Sequence, residues 1–200
     1  MPDLQPLLAP RLPLEGFLAA GRHGEGNGVT LRERAGLVIM GVQARRGRAA
    51  ELAGLVRDRF GLDLPQGPKR AASGGIAFLG VGPGKWLALH EEGLGLRLAE
   101  MLAGLASAVD QSDAYAVVRV TGPHAREALQ RVLPIDLHPR AFGPGDVAVT
   151  SMAHIGVTLW PLEPAPTFEL AAPRSYAGDF ARTLLASTAA FGAVVLPPLG

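Results

Sequence analysis

The 200-residue chain contains no cysteine. Disulfides, a thiolate nucleophile, iron–sulfur ligation, cysteine-bound zinc and thiol-attached flavin are therefore all excluded within it. Lysine is nearly missing as well, since Lys69 and Lys85 are the only two of 19 basic residues. The abundance of Arg, Ala and Gly reads as composition bias and needs no functional explanation. Charge of one sign is also lacking: 19 basic against 18 acidic residues leave a formal +1, which implies no bulk attraction to nucleic acid or to an anionic membrane. No apolar run reaches membrane-spanning length. Asp3, Gln5, Pro6, Pro10 and Arg11 interrupt what would be the apolar part of a secretion signal, so a cytoplasmic chain is expected.

Catalytic and binding motifs are equally scarce. Gly80-Val-Gly-Pro-Gly-Lys85 resembles a phosphate loop only in part, because Leu79 stands at the first glycine position and Trp86 replaces the magnesium-binding hydroxyl. A hairpin turn is expected there. Gly24-Glu-Gly-Asn-Gly28 lacks a preceding strand and carries Val29 where a dinucleotide fingerprint needs its third glycine. The histidines, His23, His90, His124, His138 and His154, show no chelating spacing on one helix or strand face. Ser112 lacks a glycine-flanked nucleophile elbow. No structural metal and no serine hydrolase are expected.

What is present is an alternation of strand and helix periods. Residues 1–34 mix Pro2, Pro6, Pro10 and Pro13 with Gly21, Gly24, Gly26 and Gly28, which opposes regular structure and predicts an extended arm. Its leucines, Leu4 to Leu18, and Phe17 are too apolar for a solvated tail, so the arm should lie on its own body or on a partner. Strands are expected at 37–42, 76–79 and 86–89. Helices are expected at 49–60, closed by Gly61, and at about 91–105 with Glu91 and Glu92 in the first turn. A second passage runs from a strand at Tyr115–Val120 through Gly122-Pro123 into a helix whose inner face is Ala125, Ala128, Leu129, Val132 and Leu133, stopped by Pro134. Strands near 147–152, 156–160 and 167–171 follow, then a helix from about Ser175 carrying Tyr176, Phe180, Leu184 and Phe191. The order β-α-β-β-α-β then β-α-β-β-β-α points to an α+β fold of ferredoxin-like split βαβ elements, with helices packed on mostly antiparallel sheets. The division expected is the arm 1–34 and one compact domain 35–200 with two sub-units, about 35–110 and 111–200.

Candidate chemical residues are few. Asp136-Leu-His138-Pro139 sets an acid two positions from an imidazole, an arrangement that can orient a ring for proton transfer or simply hold a turn, the second being favoured. Asp110 and Asp113 form another acidic pair, read as a turn between strands. Trp86, Trp160, Phe142 and Phe168 can stack on a pterin or adenine, but core packing or an interface is the ordinary role. No catalytic, cofactor-binding or metal-binding residue is assigned.

Five stretches carry a family resemblance: Asp110-Gln-Ser-Asp113, the run from Val118-Arg-Val-Thr-Gly-Pro to Leu129, Pro134-Ile-Asp-Leu-His-Pro-Arg-Ala-Phe142, Ala153-His-Ile-Gly-Val157 and Pro173-Arg-Ser-Tyr-Ala177. In this order the chain, over roughly residues 108–192, resembles the gamma subunit of heterotetrameric bacterial sarcosine oxidase, a distant relative of the folate-binding aminomethyltransferase fold. The resemblance implies a non-catalytic subunit held by alpha, beta and delta chains, mainly alpha. It implies FAD, FMN, NAD and zinc on those other subunits, and tetrahydrofolate as co-substrate of the complex. The contacts expected are the leucine-rich arm, the Pro173–Tyr176 segment and the loop 136–142. The alternatives are a small folate-dependent one-carbon transferase acting alone, with Asp110 or Asp113 as its acid, and a free-standing binding module.

Overall fold

Strands of this chain carry apolar side chains on both faces, and that pattern dictates the layering. The computed structural model describes residues 11–90 and 95–200. Two short strands, β1 (Gly21–His23) and β2 (Val29–Glu33), precede β3 (Val38–Ala44), α1 (Ala49–Phe60), β4 (Arg70–Ser73), β5 (Ile76–Gly82), β6 (Lys85–His90), α2 (Gly95–Met101) and β7 (Ala106–Asp110). The rest is β8 (Tyr115–Thr121), α3 (Ala125–Gln130), β9 (Ala148–Met152), β10 (Ile155–Leu162), β11 (Thr167–Pro173), α4 (Ala177–Ala189) and β12 (Ala193–Val195). They form a five-stranded sheet, β4-β5-β6-β3-β7, and a seven-stranded sheet, β1-β12-β2-β8-β11-β10-β9. Pairing between named strands is antiparallel except between β12 and β2. The α+β class with mostly antiparallel sheets is the one expected.

The two faces of the central strands go to different cores. Met40, Val42, Phe78, Trp86 and Ala88 pack against Leu52 and Val56 of α1 and Leu98 of α2. The alternate residues Ile39, Ala77, Leu79, Leu87 and Leu89 meet Val117, Trp160 and Ala171 of the other sheet. On its far side the larger sheet buries Val118, Val120, Phe168 and Leu170 beneath Ala125, Leu129, Phe180 and Leu184 of α3 and α4. The result is four layers, helices outside and two sheets face to face.

Local signals explain most boundaries. Gly61 closes α1 in the left-handed region at φ 63°, its N–H donating to the Arg57 carbonyl. The glycine-rich run 80–85 is the expected hairpin, with Gly82 opposite Lys85 and an irregularity between Gly80 and Gly82. Gly80 is required there, since a Cβ would sit 1.9 Å from the Gly67 carbonyl oxygen.

Three expectations need correction. The extended arm does not reach residue 34: β1 and β2 lie in the larger sheet, with Val29, Leu31 and Glu33 buried, and Leu14 is in its core. The alternation of Val29-Thr-Leu-Arg-Glu33 outweighs the surrounding turn formers. The last helix begins at Ala177, with a 3-10 turn over Arg174–Tyr176 before it and Phe191 beyond its end. The helix after Gly122-Pro123 begins at Ala125, so Pro123 precedes it rather than opening it. The expectations for Glu91, Glu92 and the first ten residues of the arm lie outside the described residues.

Candidate functional site

Between the sheets, the apolar layer is interrupted by a row of polar side chains. Trp160 of β10 is paired in register with Glu169 of β11, which is paired with Arg119 of β8. Their shared parity points all three inward. Glu169 is buried, and its Oε1 accepts from Arg119 Nε at 3.0 Å and Nη2 at 2.7 Å. Arg34, in the link between β2 and β3, brings its Nε to 3.0 Å from the same oxygen. The second oxygen, Oε2, accepts from Trp160 Nε1 at 3.1 Å. One carboxylate is thus held by two guanidiniums and an indole, the arrangement a buried charge needs.

The smaller sheet closes this row into a cleft of about 370 Å³. Its wall contributes Arg70 of β4, the Ser73-Gly74-Gly75 turn, Ile76, Leu89 and buried His90. Burial pushes the Arg70 guanidinium below its ordinary value, an effect opposed by Glu169. Three arginines line the cleft against Glu169, its one acid among the described residues. A second cleft of about 320 Å³, on the other side of Arg34, is lined by residues 11–13, Ser112, Asp113, Tyr115 and Arg174.

Against curated proteins the chain is 38% identical over 157 residues to sarcosine oxidase subunit gamma of an Arthrobacter species, covering 75% of this chain and 76% of that protein. It is 36% identical, with the same coverage, to sarcosine oxidase subunit gamma of Corynebacterium strain P-1. The chain belongs to the sarcosine oxidase gamma subunit family. Among solved structures, heterotetrameric sarcosine oxidase from Corynebacterium U-96 matches with a TM-score of 0.77 and 29% identity, over 91% of this chain and 96% of the matched one. The glycine cleavage aminomethyltransferase of Bartonella henselae shares the fold, with a TM-score of 0.60 at 12% identity over 93% of this chain and 50% of the enzyme. No family model matches the chain.

Within this gamma-family fold the residues singled out in the sequence lie apart from one another. His138 N–H donates to Asp136 Oδ1 at 2.8 Å, and Arg140 N–H donates to His138 Nδ1 at 3.2 Å. That is a local turn, the reading favoured from sequence. Asp110 Oδ1 accepts from the Ser112 hydroxyl and backbone N–H, which hold its carboxyl below the usual range. Ser112 Oγ in turn accepts from Ile39 N–H, tying the turn to β3. Asp113 is exposed and 3.6 Å from Arg174. His154 forms, with Ala153, the two-residue β9–β10 turn at positive φ. His124 stacks on Phe191, 5.3 Å between centroids, and pairs with Glu127. Trp86 donates to the Pro65 carbonyl inside the outer core, and Phe142 and Phe168 lie in the other one. Sequence reasoning missed Arg34, Arg70, Arg119 and Glu169. For Arg119 and Glu169 the signal was a charged residue inside an otherwise apolar strand, plainest for Glu169 in Phe168-Glu-Leu-Ala-Ala172; Arg34, in a link, and Arg70, at a strand start, carried none.

Proposed function

We propose that this chain is the non-catalytic gamma subunit of a heterotetrameric sarcosine oxidase. That complex oxidatively demethylates sarcosine to glycine, forming hydrogen peroxide and either formaldehyde or 5,10-methylenetetrahydrofolate. The observation that carries the reading is the agreement with gamma relatives over 75% of the chain and with a chain of a solved sarcosine oxidase complex over 91% of it. On this reading FAD, FMN, NAD and zinc reside on the other subunits, tetrahydrofolate is a co-substrate, and the assembly is cytoplasmic. The inter-sheet cleft is lined mainly by fixed cations and apolar groups, a set suited to holding rather than to transferring protons or hydride.

The contribution of this chain is surface, with alpha as its main partner and beta and delta completing the complex. Phe17 and Tyr176 are both more than half exposed, at 54% and 52%. Arg174 Nη2 donates to the Arg11 carbonyl at 2.6 Å, and Phe17 lies against Gly178. Two contact candidates named from sequence, the arm and the Pro173–Tyr176 segment, therefore meet on one face. Exposed aromatics of this kind are the anchors of protein interfaces. The transferase alternative is not favoured, since the aminomethyltransferase likeness takes in 50% of that enzyme.

The test is co-expression of the four chains with a tag on this one. A yellow four-chain complex with sarcosine-dependent peroxide production, lost in yield when this chain is omitted, is expected. A chain that purifies alone, with the other three assembling fully without it, overturns the reading.

A further inference from the structure

The cleft between the sheets holds a buried guanidinium donor, Arg70 Nε, that no described residue satisfies. Glu169 Oε1 already meets Arg34 and both donors of Arg119, while Oε2 is taken by Trp160. Arg70 donates no hydrogen bond to that carboxylate, and its buried Nε has no hydrogen-bond partner among the described residues. A guanidinium offers five N–H donors in a rigid fork, so a buried donor without an acceptor is a cost that a bound oxyanion removes. Low-dielectric walls strengthen the attraction of such a site for an anion.

The rest of the lining limits what kind of anion enters. Leu37, Ile76, Leu89 and Leu162 stand on the same cleft as the arginines. Apolar walls with a few convergent polar groups suit an organic ligand better than a hydrated inorganic ion. The volume, about 370 Å³, lies at the small end of ligand pockets. We propose that the cleft between the two sheets binds a small organic carboxylate, its carboxyl group on the Arg70 and Arg119 guanidiniums and its apolar part on the leucine-lined wall. The inference does not depend on the subunit assignment, because every group it uses belongs to this chain.

Hydrogen–deuterium exchange on the full chain, alone or in whatever assembly it is recovered with, tests the site. The probes are butyrate, inorganic phosphate and chloride at one ionic strength. Butyrate is expected to slow exchange in the β4–β5 turn, Ser73 to Ile76, and around Trp160, in a saturable way that chloride does not reproduce. Arg70→Gln should raise the half-saturating concentration roughly tenfold or more, the loss of one charge-assisted partner. Arg70 makes no side-chain ion pair among the described residues and its backbone bond to Gly145 is kept, so the variant should retain wild-type exchange elsewhere. Equal protection by chloride, protection by phosphate but not butyrate, or butyrate protection undiminished in Arg70→Gln each overturns the proposal.

Discussion

Glu169 carries more of the inter-sheet layer than any other single side chain. Replacing it with Gln leaves Arg34 and Arg119 beside a neutral amide in a setting where Glu169 is 6% exposed and Arg34 8%. Breaking a buried pair by removing one partner costs about 3–5 kcal/mol. Glu169→Gln should therefore lower the urea unfolding free energy by ~3 kcal/mol, and an effect below ~1 kcal/mol would show that the row is solvated. Glu33 supplies a second residue-scale prediction. Burial raises its pKa above 4.5, opposed by the Leu14 N–H it accepts and by Arg174. Folded chains therefore bind more protons than unfolded ones just above the ordinary glutamate range, and stability falls as pH rises through that interval. Glu33→Gln should flatten this slope in unfolding curves taken across it, while an unchanged slope would assign the titration elsewhere. Legibility at this scale followed distance along the chain. The Asp136–His138 and Asp110–Ser112 turns were readable because their partners are two residues apart, whereas Arg119 and Glu169 meet across 50 positions through a register no local pattern encodes.

At the scale of elements, strong periodicity was readable and weak flanks were not. The helix from Ala49 to Phe60, the hairpin around Pro83-Gly84 and the strand from Tyr115 stood where their patterns put them. Strands β1, β4 and β12 have three or four residues each, too few for alternation to outweigh glycine and proline nearby. They exist because neighbouring strands offer unpaired backbone, not because their own sequences prefer it. The segment around Leu14 has the same character. Its leucine is 1% exposed within the larger core, so it is part of the body rather than a removable tail. Leu14→Ala should cost about 2–4 kcal/mol of unfolding free energy. A near-neutral result in chemical denaturation would mean that the segment docks only when partners are present.

For the whole molecule, the four-layer arrangement places the row of Trp160, Glu169 and Arg119 between the sheets and leaves Phe17 and Tyr176 on the outside. Phe17 and Tyr176 share one exposed face. Changing both to Ser should weaken assembly with the partner subunits by tenfold or more while leaving the melting temperature of this chain unchanged, as expected of interface anchors that contribute little to the fold. Co-elution of the double variant at wild-type concentration would move the interface to another face. The packing of helices on mostly antiparallel sheets was legible in the alternation of strand and helix periods, but the face-to-face pairing of the two sheets was not.

The position of β12 bears on time as well as shape. It lies between β1 and β2, antiparallel to one and parallel to the other, and those two do not pair directly. On a ribosome the five-stranded sheet, complete by Asp110, can assemble early. The larger sheet cannot close its edge until Ala193–Val195 has emerged. Until then β1 waits without its partner strand, so the first strand among the described residues is among the last to be secured.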